Sequence, residues 1–177
     1  MKILIVVDMQ NDFLHGALKN EEGIKKIPNV VNKINEYKKN GYEIIATRDT
    51  HMSNYLETQE GINLPFVHCI KDTLGWQIND DVKEALGDVL IFDKPTFGST
   101  ELAHYLYNKY KDESSLEIEL IGVCTDICVI SNAILIKASL PEAKMVVDAS
   151  CCAGVTIDSH NAALVAMKSC QIKVIGE

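Results

Sequence analysis

Several things are missing from this 177-residue chain, and each absence removes a class of function. It has no run of basic residues, and its net charge is −8 with a sequence pI near 5.1, so it offers nucleic-acid phosphates no electrostatic footprint. No Gly-x-Gly-x-x-Gly follows the first apolar run and no P-loop follows any other, which leaves a nucleotide-cofactor enzyme unsupported. No apolar stretch is long enough to span a membrane. Met-Lys leads straight into a short apolar run ending at Asp8, so neither a signal peptide nor a membrane partner is expected and the chain reads as cytoplasmic. In that compartment its six cysteines are expected as free thiols, with Cys69, Cys151, Cys152 and Cys170 most simply packing residues. Cys124 and Cys128 are four apart and form no C-x-x-C, which weakens a redox role. Aromatics are scarce at 6%, with a single tryptophan, Trp76. Internal repeats, linkers and low-complexity segments are absent too, and 47% hydrophobic and 24% charged residues fit one globular domain over residues 1–177.

What is present is an alternation of two periods. Apolar runs at Lys2–Val7, Tyr42–Thr47, Val89–Phe92, Leu116–Ile121, Lys144–Val147 and Ile172–Ile175 read as strands buried on both faces. Helical spacing lies between them: Pro28–Lys39 with Pro at its start, Asp80–Leu86, a helix capped by Ser99 or Thr100 and running through Tyr110, a buried helix from Val129 to Ser139, and one opened by Thr156 or Asp158 and running to Ser169. Six strands alternating with helices predict an α/β fold in three layers, a six-stranded parallel sheet between helices in a Rossmann-like arrangement. Met52–Ile70 is a long connection of low periodicity, of the kind that is usually functional.

The stretch that organises the chain is Ile121–Cys128, a strand-to-helix turn that puts Cys128 at or near the first helical turn. Free N–H groups and the positive end of the helix dipole there favour a thiolate and suit a developing oxyanion. Asp8 follows the first strand, Lys94 the third and Cys128 the fourth. In a parallel sheet all carboxyl ends lie on one side, so the three can converge as base, cation and nucleophile. No histidine is placed for Cys–His pairing; His104 and His160 fall within helices and read as surface or packing residues. A second group, Asp49, His51 and the more distant His68, offers N and O donors suited to zinc, iron or manganese. Asp12 reads as a loop-capping residue.

Four segments, Val7–Phe13, Arg48–His51, Asp93–Pro95 and Gly122–Cys128, occur in the order in which they occur in the isochorismatase-like cysteine hydrolases, which include the nicotinamidases. The chain resembles that family over nearly its whole length. The resemblance implies a catalytic triad of Asp8, Lys94 and Cys128. It implies a cis peptide between Val123 and Cys124 that aims the Cys124 N–H, with that of Cys128, into an oxyanion hole. It also implies a metal on Asp49, His51 and His68, zinc first, that orients a pyridine nitrogen, with Glu60 or Glu57 as a further ligand from a loop where many nicotinamidases carry a histidine. Phe13, Trp76 and Phe97 are candidates for the substrate wall. The function implied is hydrolysis of nicotinamide to nicotinate and ammonia through a Cys thioester, by a homodimer or homotetramer. A related hydrolase of another small amide, carbamoyl or ureido compound is the first rival. A catalytically silent binding module on the same fold is the second. The metal-free vinyl-ether hydrolases of the family are expected to lack the cysteine nucleophile.

Overall fold

The computed structural model describes all residues, 1–177. Strands β1 (Lys2–Val7), β2 (Glu43–Asp49), β3 (Leu90–Lys94), β4 (Glu117–Val123), β5 (Lys144–Ala153) and β6 (Lys173–Ile175) form one sheet in the order β3-β2-β1-β4-β5-β6. Every neighbouring pair is parallel, as the apolar runs require. Alternate residues of β1 enter opposite cores. Ile3, Ile5 and Val7 pack with α5 (Thr100–Tyr110), α6 (Ile130–Ser139) and α7 (Ile157–Ser169), whereas Leu4 and Val6 pack with α2 (Glu21–Lys39) and α4 (Asp80–Leu86). This is the expected three-layer arrangement. The chain winds outward from β1 to β3, then returns to β4 on the other side of β1. The crevice between the carboxyl ends of β1 and β4 is therefore the topological switch point where open α/β sheets bind ligands.

The elements follow the sequence pattern with four differences. Helix α2 begins at Glu21, seven residues before Pro28. Asn20 accepts the Gly23 N–H, Glu21 and Glu22 sit in the first turn, and Gly23, Ile27, Val30, Ile34 and Tyr37 share the buried face. The solvent-facing Pro28 removes one hydrogen bond, and burial of that face outweighs its loss. Strands β2, β3 and β4 each run two residues further, to Asp49, Lys94 and Val123, so Asp49 and Lys94 lie on their strands rather than after them. Strand β5 extends past Asp148 to Ala153: the step from Leu120 to Gly122 on β4 is matched by the step from Val147 to Cys152 on β5, so the intervening residues bulge out of register. The long connection is ordered around a 3-10 turn at Tyr55–Glu57 and α3 (Gln59–Asn63), with α1 (Asn11–Leu14) packed nearby against the start of α2.

Candidate active site

The first candidate site residues, Asp8, Asp49 and Lys94, stand at the carboxyl ends of β1, β2 and β3. Asp8, with φ of 47°, leaves β1 and is fully buried. Its Oδ1 accepts the Thr47 hydroxyl at 2.6 Å and its Oδ2 lies 2.6 Å from Lys94 Nζ. The same Nζ is 3.4 Å from Cys128 Sγ and 3.2 Å from Asp49 Oδ1. Asp8, Lys94 and Cys128 are thus together, with Lys94 at the centre. Cys128 sits in a π-turn over Thr125–Val129 that precedes α6. The Val123–Cys124 peptide is cis, and the Cys124 N–H has no backbone acceptor.

Burial and charge set the protonation of this group. Burial would lower the pKa of Lys94, but the charges of Asp8, Cys128 and Asp49 outweigh it and hold the ammonium well above its usual range. Burial raises Asp8, against the pull of Lys94. Burial and then the Asp8 charge push the Cys128 thiol well up, with Lys94 opposing. Enclosure beside a carboxylate thus opposes the helix terminus, which favours a thiolate.

Asp49 joins this group to the next. Its Oδ1 faces Lys94, and its Oδ2 lies 2.9 Å from His51 Nε2 and 3.5 Å from His68 Nε2. Glu60 Oε1 stands 3.6 Å from His51 Nε2 and 3.9 Å from His68 Nε2. Asp49, His51, Glu60 and His68 thus converge, and Glu57 is not among them. Two observations suit this donor set to a cation. His51 Nε2 is buried and makes no hydrogen bond. His68 Nδ1 contacts the Phe66 carbonyl at 2.7 Å, which places the proton on Nδ1 and turns a bare Nε2 toward the cluster. Ligand atoms bonded at about 2.1 Å to one tetrahedral ion would stand about 3.4 Å apart; the histidine–carboxylate separations bracket that value, and the four atoms lie within 4.8 Å of one another. Burial raises the Asp49 pKa, but the imidazoles of His51 and His68 beside Oδ2 and the Lys94 charge beside Oδ1 overcome it and lower it below the usual carboxylate range.

A cleft of about 740 Å³ opens beside the cluster, lined among others by His51, Glu60, Phe97 and Ile127. Phe97 therefore stands at the cleft. Trp76 does not line it and belongs to the core beneath: the indole N–H donates to Thr50 Oγ1 at 2.8 Å and the Arg48 guanidinium stacks on its ring at 3.7 Å. Phe13 is buried, its ring centroid 5.7 Å from that of His68. Asp12 does secure a loop, its Oδ2 accepting the Cys69 N–H at 2.7 Å. Sequence reasoning missed three supporting residues. Gln10 Oε1 accepts the Asp49 N–H at 2.7 Å while its Nε2 donates to the Asp49 and Trp76 carbonyls. Tyr55 is buried against both His51 and His68. His160, read as packing or surface, contacts Thr125 Oγ1 through Nδ1 at 2.7 Å. Gln10 lies inside the first family segment, Val7–Phe13, and that position was its only signal.

With this geometry in hand, the similarities to known proteins have a physical anchor. The model of the isochorismatase domain matches residues 2–176. The chain is 29% identical to the nicotinamidase of Saccharomyces cerevisiae over 178 aligned residues, covering 76% of this chain and 80% of that protein. It superposes on the pyrazinamidase of Pyrococcus horikoshii, solved in complex with zinc, with a TM-score of 0.82 and 30% identity, covering 99% of each chain. A nicotinamidase/pyrazinamidase of Bacillus subtilis gives a TM-score of 0.81 and 25% identity, covering 98% of each chain. The chain belongs to the isochorismatase family, on the branch of its nicotinamidase relatives.

Proposed function

We propose that this protein is a cysteine amidohydrolase that converts nicotinamide and water to nicotinate and ammonia. The observation that carries the reading is Lys94 Nζ held between Asp8 and Cys128, at 2.6 and 3.4 Å, at the switch point of the sheet. Asp8 takes the Cys128 proton as sulfur attacks the amide carbon, and the carbonyl becomes an oxyanion that the Cys124 and Cys128 N–H groups receive. Protonated Asp8 then gives its proton to the departing ammonia, leaving a thioester on Cys128. Asp8 next draws a proton from water, which attacks the thioester; nicotinate leaves, and the proton returns to sulfur. Lys94 stays charged throughout and favours the anionic form of each partner. This sequence needs no standing thiolate, in keeping with the raised pKa of Cys128.

Asp49, His51, Glu60 and His68 would hold a divalent ion, zinc in this reading. When bound, that ion supplies a Lewis-acid contact for the pyridine nitrogen. Phe97 forms a wall of the cleft, and the Phe13 ring packs against His68. The polar lining of the cleft, with Asn54, Gln59, Asn63 and Thr96, favours a second reading, in which the same triad hydrolyses a more polar small amide or a carbamoyl compound. We also read the chain as one domain, 1–177, acting in the cytoplasm as a homodimer or homotetramer; no helix is long and apolar enough to cross a membrane.

Ammonia release from nicotinamide tests the reading. The expected result is turnover that is lost on chelation, restored by zinc, and reduced about 10⁴-fold or more in Cys128→Ala. Turnover of another small amide with none of nicotinamide would retain the triad and reject the pyridine assignment.

A further inference from the structure

Asn132 is a polar side chain that the reaction above does not use. It lies near the start of α6, has no exposed surface, and replaces apolar packing with an amide. Asparagine is a poor helix former, and a buried amide is costly unless it is hydrogen-bonded. Its hydrogen bonds all reach toward the site. Nδ2 donates to the Cys128 carbonyl at 2.8 Å and to the Phe97 carbonyl at 3.2 Å, and Oδ1 accepts the Ser99 N–H at 2.9 Å. Two carbonyls and one N–H leave only one orientation of the amide that satisfies all three partners. The loop it grips, Pro95–Gly98, begins directly after Lys94, whose Nζ lies against Cys128 Sγ. Gly98 lets that loop sit on the α6 backbone: a Cβ there would meet the Ser131 carbonyl oxygen at 3.1 Å. The Phe97 side chain is 47% exposed and lines the cleft, so its backbone anchor matters for where the ring stands.

We infer that Asn132 is a positioning residue that locks the turn carrying Cys128 onto the loop running from Lys94 to Phe97, and so sets both the nucleophile's alignment and the cleft wall. The inference rests on Cys128 being the nucleophile. Its two arms separate in steady-state kinetics, because the bond to Cys128 acts on the chemical step and the bonds to Phe97 and Ser99 act on substrate binding.

The experiment compares Asn132→Ala and Asn132→Thr in the zinc-loaded protein, with Tm as the check on folding. In Asn132→Ala, kcat for nicotinamide falls about tenfold or more and KM rises about threefold or more. In Asn132→Thr the hydroxyl can still donate to the carbonyl four residues back, that of Cys128, but cannot reach Phe97 or Ser99. There kcat returns to within about threefold of the parent while KM stays raised, a split that loss of folded protein does not produce. Folded Asn132→Ala with both parameters within about twofold of the parent, or Asn132→Thr restoring KM together with kcat, overturns the inference. If Asn132→Ala fails to fold, Gly98→Ala lifts the same loop from Ser131: a KM raised about threefold supports the lock and an unchanged KM rejects it. If the parent turns over no amide at all, the functional reading fails separately. The lock is then read from alkylation of Cys128 by iodoacetamide, followed by peptide mass. Equal rates in the parent and Asn132→Ala overturn it, and a change of about threefold supports it.

Discussion

The three side chains at the centre of the site hold one another's charge. Asp8 and Cys128 both sit where water cannot solvate an anion, and Lys94 is the only cation within reach of either. Asp8 raises the Cys128 pKa and Lys94 lowers it, so the two have opposite effects on thiol reactivity. Asp8→Asn removes the first effect and leaves the second; Lys94 keeps Asp49 at 3.2 Å, so its charge is not stranded. The variant is expected to alkylate Cys128 with iodoacetamide faster than the parent at neutral pH, while amide hydrolysis falls about 10³-fold or more for want of a base. Alkylation slower than the parent would mean that Asp8 does not suppress ionisation of the sulfur. Asp8, Lys94 and Cys128 were legible in the sequence because each stands where an apolar run ends. Thr47, Gln10 and Asn132 were not, since each acts through hydrogen bonds to residues 33 to 39 positions away, and no local pattern marks such a partner.

At the scale of elements, the central strand pair is held close where the site begins. Gly122 on β4 pairs with Val7 on β1 and has φ of 121°, and a methyl group there would overlap the Val7 carbonyl. Both the close approach and the backbone angle demand glycine. Gly122→Ala is expected to cost about 3 kcal/mol or more, read as a loss in urea midpoint at unchanged slope. A loss under about 0.5 kcal/mol would show that β1 and β4 can separate freely. Helix α2 shows where sequence reading falls short at this scale. Pro28 is a reasonable first residue for a helix, yet a cap at Asn20 and a buried stripe that includes Gly23 and Ile27 extend the helix back past it. A proline's cost is local, whereas the burial that outweighs it is decided by the neighbouring sheet.

For the whole molecule, electrostatics away from the site also bear on stability. Lys33 on α2 bridges Glu119 of β4 and Asp148 of β5, each at 2.9 Å, and Tyr37 donates to Glu119 at 2.7 Å. Burial raises the Asp148 pKa, but hydrogen bonds from Ser150 and Lys33 and the Lys33 charge overcome it, so the folded value lies below 3.8. A depressed folded pKa contributes stability above the unfolded value, and the contribution is lost as pH falls through the folded one. Tm is therefore expected to drop with acid below about pH 4, and the drop is expected to be shallower in Asp148→Asn. Lys33→Met leaves two buried carboxylates facing each other and should cost about 3 kcal/mol near neutral pH. An unchanged Tm in that variant would show that the pair is solvated rather than enclosed.

The sequence by itself determined the sheet, its parallel sense and the side of it on which chemistry occurs. Those follow from apolar periodicity and from which residue ends each run, both of which are local. It also contained the four family segments and the residues Asp8, Asp49, His51, His68, Lys94 and Cys128 within or between them. Only the tertiary structure decided which carboxylate of the long loop meets the histidines, because Glu57 and Glu60 differ by less than one helical turn and the 3-10 turn before α3 settles which one points inward. It likewise packed Trp76 into the core against Thr50 and Arg48, and enclosed the Cys128 sulfur beside Asp8 and Lys94. Protonation and contact depend on burial by distant segments, which no window of sequence contains.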